Sequence, residues 1–368
     1  ERCPVAHNTE HGGHWLLTGY DEVRRAARDW ERFSSADGVD FPPAGMPETL
    51  ISSDPPAHTD FRRFDREAIN PETVAAIRPY VEELARLLMD GLAGDGPVDL
   101  VSGFAEQIPP AAIARIVGLD AELATEMREV SIRVGEAFGD PERFGPAMAD
   151  FARFVFPQIE ERRRHPREDH LTRMATVPVR GQLYSDEQIL FGMVGFLLAG
   201  HESTTAAMAS TIFRLLEQPE RWKAAHRDPE LLGRAIEESL RLDTPFHQFR
   251  RQTTCPVRIG DTELPERVNV ALNFAAANRD ARAFADPASF VIDRRPNPHM
   301  AFGYGIHACL GAPLARMELR TAVGALIERF PHMRLAVDPG EVAWELRGGN
   351  LAFIAELPVY PQGQKGQR

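Results

Sequence analysis

A mainly α-helical body with a small β-rich side is the fold class this sequence predicts, and three features of the chain point to it. The stretch from Asp186 to Leu216 is apolar on nearly every face, as in a helix that crosses the centre of a large core. Beyond Cys309, apolar residues recur at helical spacing at Leu319, Val323, Leu326, Ile327 and Phe330, with Pro313 tolerable only in a first turn. The β-type segments are short and scattered between such helical patterns. In order, "HWLLTGY" (14–20) reads as a strand leading to a helix from Asp21, and "VRIGDTELPERVNVAL" (257–272) has the turn residues and alternation of a hairpin. "MRLAV" and "LAFIAELPV" near the end read as further strands. The central helix breaks its own apolar rule in the middle, at Gly200, His201, Glu202, Ser203, Thr204 and Thr205.

Composition bounds the function. A length of 368 residues would allow two or three domains, yet no linker, repeat or low-complexity tract divides the chain. A net charge of -12 argues against nucleic acid as a partner, and "ERRRHPRED" (161–169) reads as a solvated helix end. The three cysteines, Cys3, Cys255 and Cys309, are odd in number and far apart, which suits neither a disulfide framework nor a four-ligand zinc site. A reducing cytoplasm fits them best. The most apolar stretch, Ile189 to Ala199, is well short of the ~20 residues needed to span a bilayer, and no signal peptide or membrane anchor is expected.

The stretch "GYGIHACLG" (303–311) places three glycines and a histidine around one cysteine. Glycine loses more conformational freedom on folding than any other residue, so this density implies positive φ or close approach to something flat. Cys309 would lie just before a helix N-terminus, where unpaired N–H groups and the helix dipole favour a thiolate over a thiol. A lone thiolate in a glycine loop suits one axial bond to a metal that already has its other ligands, and haem iron is such a metal.

At these residues the sequence resembles the cytochrome P450 family of haem-thiolate monooxygenases, and the resemblance covers nearly the whole chain. "AFGYGIHACLG" is similar to the family's cysteine-loop signature, with Phe302 in the aromatic position, Gly303 and Gly305 in the turn, Cys309 in the ligand position and Gly311 closing the loop. "EESLR" resembles its buried ion-pair motif, giving Glu238 and Arg241, with Arg294 of "FVIDR" as the third member. "LAGHEST" resembles the oxygen-activating groove, and "DPPAHTDFRRF" resembles the helix that covers the haem propionates. Taken singly, each admits a plainer reading: a buried small hydrophobe at Cys309, a surface pair at Glu238 and Arg241, a solvated face at His58 and Arg62, and mutual satisfaction of Glu202 and Ser203.

The resemblance implies a single P450 domain over residues 1–368 with haem b between the central helix and the helix after Cys309. Relatives usually carry an extra N-terminal helix before the first strand, and that helix is expected to be missing or truncated here. The propionates need cationic or hydrogen-bonding partners, and the matched positions are His58, Arg62, Arg251 and His307. Donation from the Cys309 thiolate favours O–O cleavage, with dioxygen accommodated in a kink at Ala199 and Gly200. Glu202 would lead protons from solvent, and Ser203, where the family usually has threonine, would hold the hydrogen bond at the distal oxygen, with Thr204 as its understudy. Electrons should come from a separate ferredoxin or flavodoxin with its reductase, docking near Arg62, Arg63 and Arg66, since the chain has no flavin, nicotinamide or iron–sulfur motif. A peroxide-driven peroxygenase and a non-enzymatic haem-thiolate sensor are the alternatives, and neither would need the Glu202–Ser203 pair.

By the same resemblance the substrate pocket includes Gly195 and Leu198, beside Ala199, with Phe246, His247 and side chains between Val39 and Ile51. These make a small or medium apolar cavity with one polar tip, His247. "FSSADGVDFPP" and "WELRGGNLAFIAELPV" resemble relatives that hydroxylate monoterpenes, and a tailoring oxidase for a larger natural product is the competing expectation.

Overall fold

Short alternating segments at the start of the chain build a sheet against which the first helix packs. In the computed structural model, which describes residues 4–41, 47–94, 96–137 and 140–363, β1 (Val5–Asn8) and β2 (His14–Leu17) form an antiparallel pair, followed by α1 (Tyr20–Arg28) and β3 (Phe33–Ser34). Helices then take over: α2 (Ala57–Arg66), α3 (Pro71–Gly91), a short strand β4 (Val98–Asp99), α4 (Ile108–Val117), α5 (Ala121–Glu136), α6 (Pro141–Arg164) and α7 (His170–Thr176). Their starts follow from local chemistry. Asn70 caps α3 by accepting from Thr73 N–H at 2.8 Å, with Pro71 in the first turn, where its missing N–H costs nothing. Asp169 caps α7 in the same way, accepting from Thr172 N–H at 2.7 Å.

The long central pattern resolves into two helices, α8 (Asp186–Gly200) and α9 (Glu202–Leu216), so the interruption falls directly after the expected kink at Ala199 and Gly200. Ser185 and Gln188 form a reciprocal capping box at the start of α8. The break falls at His201, whose φ of -84° and ψ of -72° lie at the edge of the helical region, and α9 is buried on almost every face. The remaining helices are α10 (Pro219–Arg227) and α11 (Pro229–Leu242). The chain then returns to the first sheet through β5 (Gln248–Thr253), β6 (Val257–Ile259), β7 (Thr262–Leu264) and β8 (Asn269–Asn273). The hairpin expected over 257–272 is only β6 and β7. The sheet order is β1-β2-β8-β5-β3, so β8 leaves the hairpin to pair with β2 and β5, where Val270 and Leu272 join the buried cluster of Leu17, Val23 and Phe33.

A short α12 (Phe274–Ala277) and a loop lead to α13 (Ala312–Arg329), after which β9 (Arg334–Leu335), β10 (Trp344–Arg347), β11 (Leu351–Ile354) and β12 (Pro358–Tyr360) close the chain. β10 and β11 form a separate hairpin, and β12 sits between β4 and β9. The mainly helical class with a small β side is therefore what the chain adopts. The end of α6 and the chain after it are solvated as expected from Arg163 to Glu168, but Arg162 is fully buried: its Nε donates to Asp169 Oδ2 at 2.7 Å and its Nη2 to Gly118 O at 2.5 Å. No described helix is long and apolar enough to cross a membrane.

Candidate functional site

The glycines of the cysteine loop are required by its geometry. Gly303 and Gly305 have φ of +68° and +76°, and a Cβ on Gly305 would collide with the backbone carbonyl of Ala27 in α1. Cys309 N–H donates to Phe302 O at 2.7 Å, and α13 begins three residues later with Pro313 in its first turn. The N–H groups of Gly311 and Ala312 hydrogen-bond the sulfur, and Arg62 and Arg316 add positive charge near it. Burial of the thiol acts against these and pushes its pKa up, while the two N–H groups and the two arginines favour the thiolate. Although the side chain lies deep in the protein, Cys309 is accessible, so it faces an internal space.

Beside the loop, four of the predicted side chains converge. His58 and Arg62 lie on α2, Arg251 on β5 and His307 in the loop itself. The rings of His58 and His307 meet edge to face at 4.4 Å, and Arg62 Nη2 donates to Ala308 O at 2.7 Å. Arg251 is buried and its pKa is brought down to about 10, chiefly by desolvation. His307 falls to about 2, through burial first and then the charges of Arg251, His58 and Arg62. His58 and His307 each keep a buried Nε2 without a hydrogen-bond partner among the described residues. The nearby carboxylate, Asp54, is engaged by Ser34 Oγ and Ser35 N–H. The result is a concentration of positive charge and unpartnered imidazole nitrogens in one place.

The central helices form the other wall. Gly195 and Ala199 are exposed although other residues of α8 are buried, and Ser203, four residues on from Ala199, lies on the same stripe. Ser203 Oγ donates to Ala199 O at 2.5 Å, which diverts that carbonyl from the helical ladder at the break. Thr204 is buried. Glu202 does not pair with Ser203: its Oε1 accepts from Arg347 Nη1 of β10 at 2.7 Å, and it lies against Gly135 of α5, where a Cβ would collide with it. Burial raises the Glu202 pKa despite that arginine. Arg347 is the residue that sequence reasoning missed, because no local pattern joins β10 to α9.

Leu198, Phe246 and His247 are half-buried near this wall. The β10–β11 hairpin organises the last two: His247 N–H donates to Asn350 O at 2.9 Å, Gln248 N–H to Asn350 Oδ1 at 2.9 Å, and Phe246 bridges Leu351. Of the segment between Val39 and Ile51, residues 42–46 lie outside the described residues; Val39 O accepts from Arg250 N–H at 2.7 Å, next to Arg251.

Glu238, Arg241 and Arg294 do form one network. Arg241 is fully buried and donates to Glu238 through Nε and Nη2, both at 2.8 Å, and to the carbonyls of Asn278, Pro287 and Ser289. Arg294 Nε reaches both carboxylate oxygens at 3.0 Å. The surface-pair reading is excluded by this burial, and the loop that leads to Cys309 hangs on one carboxylate.

Residues 142–341 match the sequence profile of the family described as Cytochrome P450. Cytochrome P450 107B1 of Saccharopolyspora erythraea is 33% identical, over 94% of this chain and 89% of its own. The 6-deoxyerythronolide B hydroxylase of the same organism is 34% identical, over 95% and 90%. Among solved structures, a mutant of P450 EryK in complex with erythromycin B matches with a TM-score of 0.88 at 28% identity, covering 100% of this chain and 95% of that one. A profile match across more than half of the chain, and relatives at a third identity along nearly all of it, leave one conclusion: this protein belongs to the cytochrome P450 family of monooxygenases.

Proposed function

We propose that this enzyme binds haem b through Cys309 and hydroxylates a bulky, largely apolar natural product in the cytoplasm, using dioxygen and electrons from a separate ferredoxin or flavodoxin with its reductase. The observation that carries the reading is the cluster of His58, Arg62, Arg251 and His307 beside an accessible cysteine. Two propionate carboxylates would answer its buried charge and its two orphaned imidazole nitrogens. The residues fit the group. Phe302, Gly303 and Gly311 would flank it on the cysteine side, and the small side chains at Gly195 and Ala199 would leave room on the other. When bound, a thiolate-ligated haem supplies dioxygen binding and favours O–O cleavage.

The rest of the work falls to the chain. Leu198 and Phe246 would exclude water around the substrate, and His247 would offer one polar contact. Ser203 would turn its hydroxyl from Ala199 O to donate at the oxygen-binding position, which its partial exposure on the stripe permits. Glu202 would carry protons inward from the solvent edge at Arg347, and its raised pKa suits a group that must both hold and release a proton. Thr204, being buried, is less suited to the role.

Two finer points follow from the same residues. Arg62 turns inward, so the electron carrier would meet Arg63 and Arg66, which are exposed, and not the three-arginine patch expected. The names of the relatives, a deoxyerythronolide hydroxylase and an enzyme bound to erythromycin B, support a large natural product over a monoterpene. The test is spectroscopic. Carbon monoxide on the reduced protein should give the strongly red-shifted Soret band of thiolate ligation, and Cys309→Ser should lose it; an imidazole-like spectrum unchanged in that variant would overturn the proposal. A ligand panel scored by the low-spin to high-spin change would then identify the substrate class.

A further inference from the structure

We propose that Arg316, clamped by Glu237 and seated on Phe302, is a positioning residue that sets the electron donation of Cys309 and thereby the reduction potential of the bound iron. The inference rests on Cys309 being the axial ligand. Two consecutive glutamates on α11 divide the labour beneath the cysteine loop. Glu238 is consumed by Arg241 and Arg294, whereas Glu237 turns to α13 and to the approach of the loop. Arg316 Nε and Nη2 donate to the two oxygens of Glu237 at 2.7 Å each, a two-pronged pair of fixed orientation. His299 Nε2 lies 3.0 Å from Glu237 Oε2, and its Nδ1 accepts from Ala301 N–H at 3.2 Å, so the ring presents its proton to the carboxylate.

Held in this way, the Arg316 guanidinium carbon stands 4.4 Å from the centre of the Phe302 ring, close enough for a cation–π contact. Phe302 in turn accepts the Cys309 backbone N–H at 2.7 Å. The arginine therefore acts on the cysteine twice, by fixing the residue that holds its backbone and by placing a positive charge near its sulfur, an influence felt by both groups. Groups around a metal ligand tune the metal through the ligand's basicity. A cation beside a thiolate draws electron density away from the iron and favours its reduced state. Glu237 is ionised at any working pH, since Arg316 and His299 more than offset its burial and hold it near about 2. It limits the effect of Arg316 by neutralising part of its charge.

This arrangement predicts shifts of opposite sign from the two partners. In substrate-free holoenzyme, Arg316→Gln should lower the midpoint potential and Glu237→Gln should raise it, each by up to about tenfold in the reduction equilibrium, which is about 59 mV for one electron. Arg316→Lys keeps the charge but loses the fork and the planar stack, so its potential should return most of the way to wild type while its thermal stability stays reduced. Spectroelectrochemical titration of the four proteins reads the potentials, and the Soret position of each carbon monoxide complex reads the thiolate independently. A brace that merely holds the loop would lower stability in all three variants and leave the potentials equal, or move them in one direction; either result overturns the proposal. If Arg316→Gln does not fold, the upward shift in Glu237→Gln and the position of Arg316→Lys still decide it. A wild-type complex without the red-shifted band would instead sink the Cys309 assignment, before any variant is compared.

Discussion

Replacing Arg347 by leucine strands the carboxylate of Glu202. The pair is close, at 2.7 Å, and uneven in its surroundings: the Glu202 side chain is 8% exposed and that of Arg347 is 28% exposed. Removing one partner of a fully buried pair costs about 3–5 kcal/mol. Glu202 can lower that cost by taking up a proton. At pH 7, protonating a carboxyl from the ordinary glutamate value of 4.5 spans about 2.5 pH units at about 1.36 kcal/mol each, a ceiling of about 3.4 kcal/mol. Burial already raises the wild-type pKa, so part of this is present before the mutation, and a further loss of about 1–3 kcal/mol is expected at pH 7. The sign follows from linkage. A group whose folded pKa lies above its unfolded value keeps its stability below the unfolded pKa and loses it as pH rises through the folded pKa. The deficit of Arg347→Leu should therefore be small near pH 4.5, grow as pH rises, and level off once Glu202 is ionised. Urea unfolding between pH 4.5 and 8, followed by tryptophan fluorescence in wild type, Arg347→Leu, Glu202→Gln and the double variant, measures it. In the Glu202→Gln background the pH-dependent part should vanish. A deficit that is flat with pH, or that survives there undiminished, would refute the reasoning.

Three further outcomes are expected. Ser203→Ala should still consume reductant but release more hydrogen peroxide per reductant oxidised, and Ser203→Thr should couple at least as well as wild type; unchanged coupling in the alanine variant would pass the role to a water or to Thr204. Arg241→Leu removes a fully buried partner of Glu238 and leaves three carbonyls without their donor, so a loss of at least about 3–5 kcal/mol is set against a typical stability of about 5–15 kcal/mol. Little folded protein should be recovered, and an unfolding midpoint equal to wild type would count against the network's weight. Arg63, 76% exposed, should steer an acidic electron carrier, so Arg63→Glu should slow reduction at low salt, and the difference should close as ionic strength rises; a rate indifferent to both leaves it an ordinary solvated residue.

The cysteine loop and its helix could be read from neighbouring residues because their causes are local. Positive φ at Gly303 and Gly305, a proline in the first turn of α13 and apolar spacing along it are properties of a few adjacent positions. Glu238 and Arg241, one helical turn apart on α11, were legible for the same reason, although their burial was not. The hairpin read over 257–272 was half correct, since β8 answers to β2 and β5 and not to its sequence neighbours. Arg162 looked solvated within a run of charges, yet packing turned it inward toward Asp169 and Gly118. Arg347 and Glu202 are 145 residues apart, and Glu237 and Arg316 are 79 apart. No periodicity, cap or turn preference links such positions. By itself, the sequence determined where the cysteine loop turns, which faces are apolar and where a cysteine stands before a helix start. Only the tertiary structure decided which charges meet, because an ion pair depends on separation in space, and chain separation does not predict that once a core has closed around it.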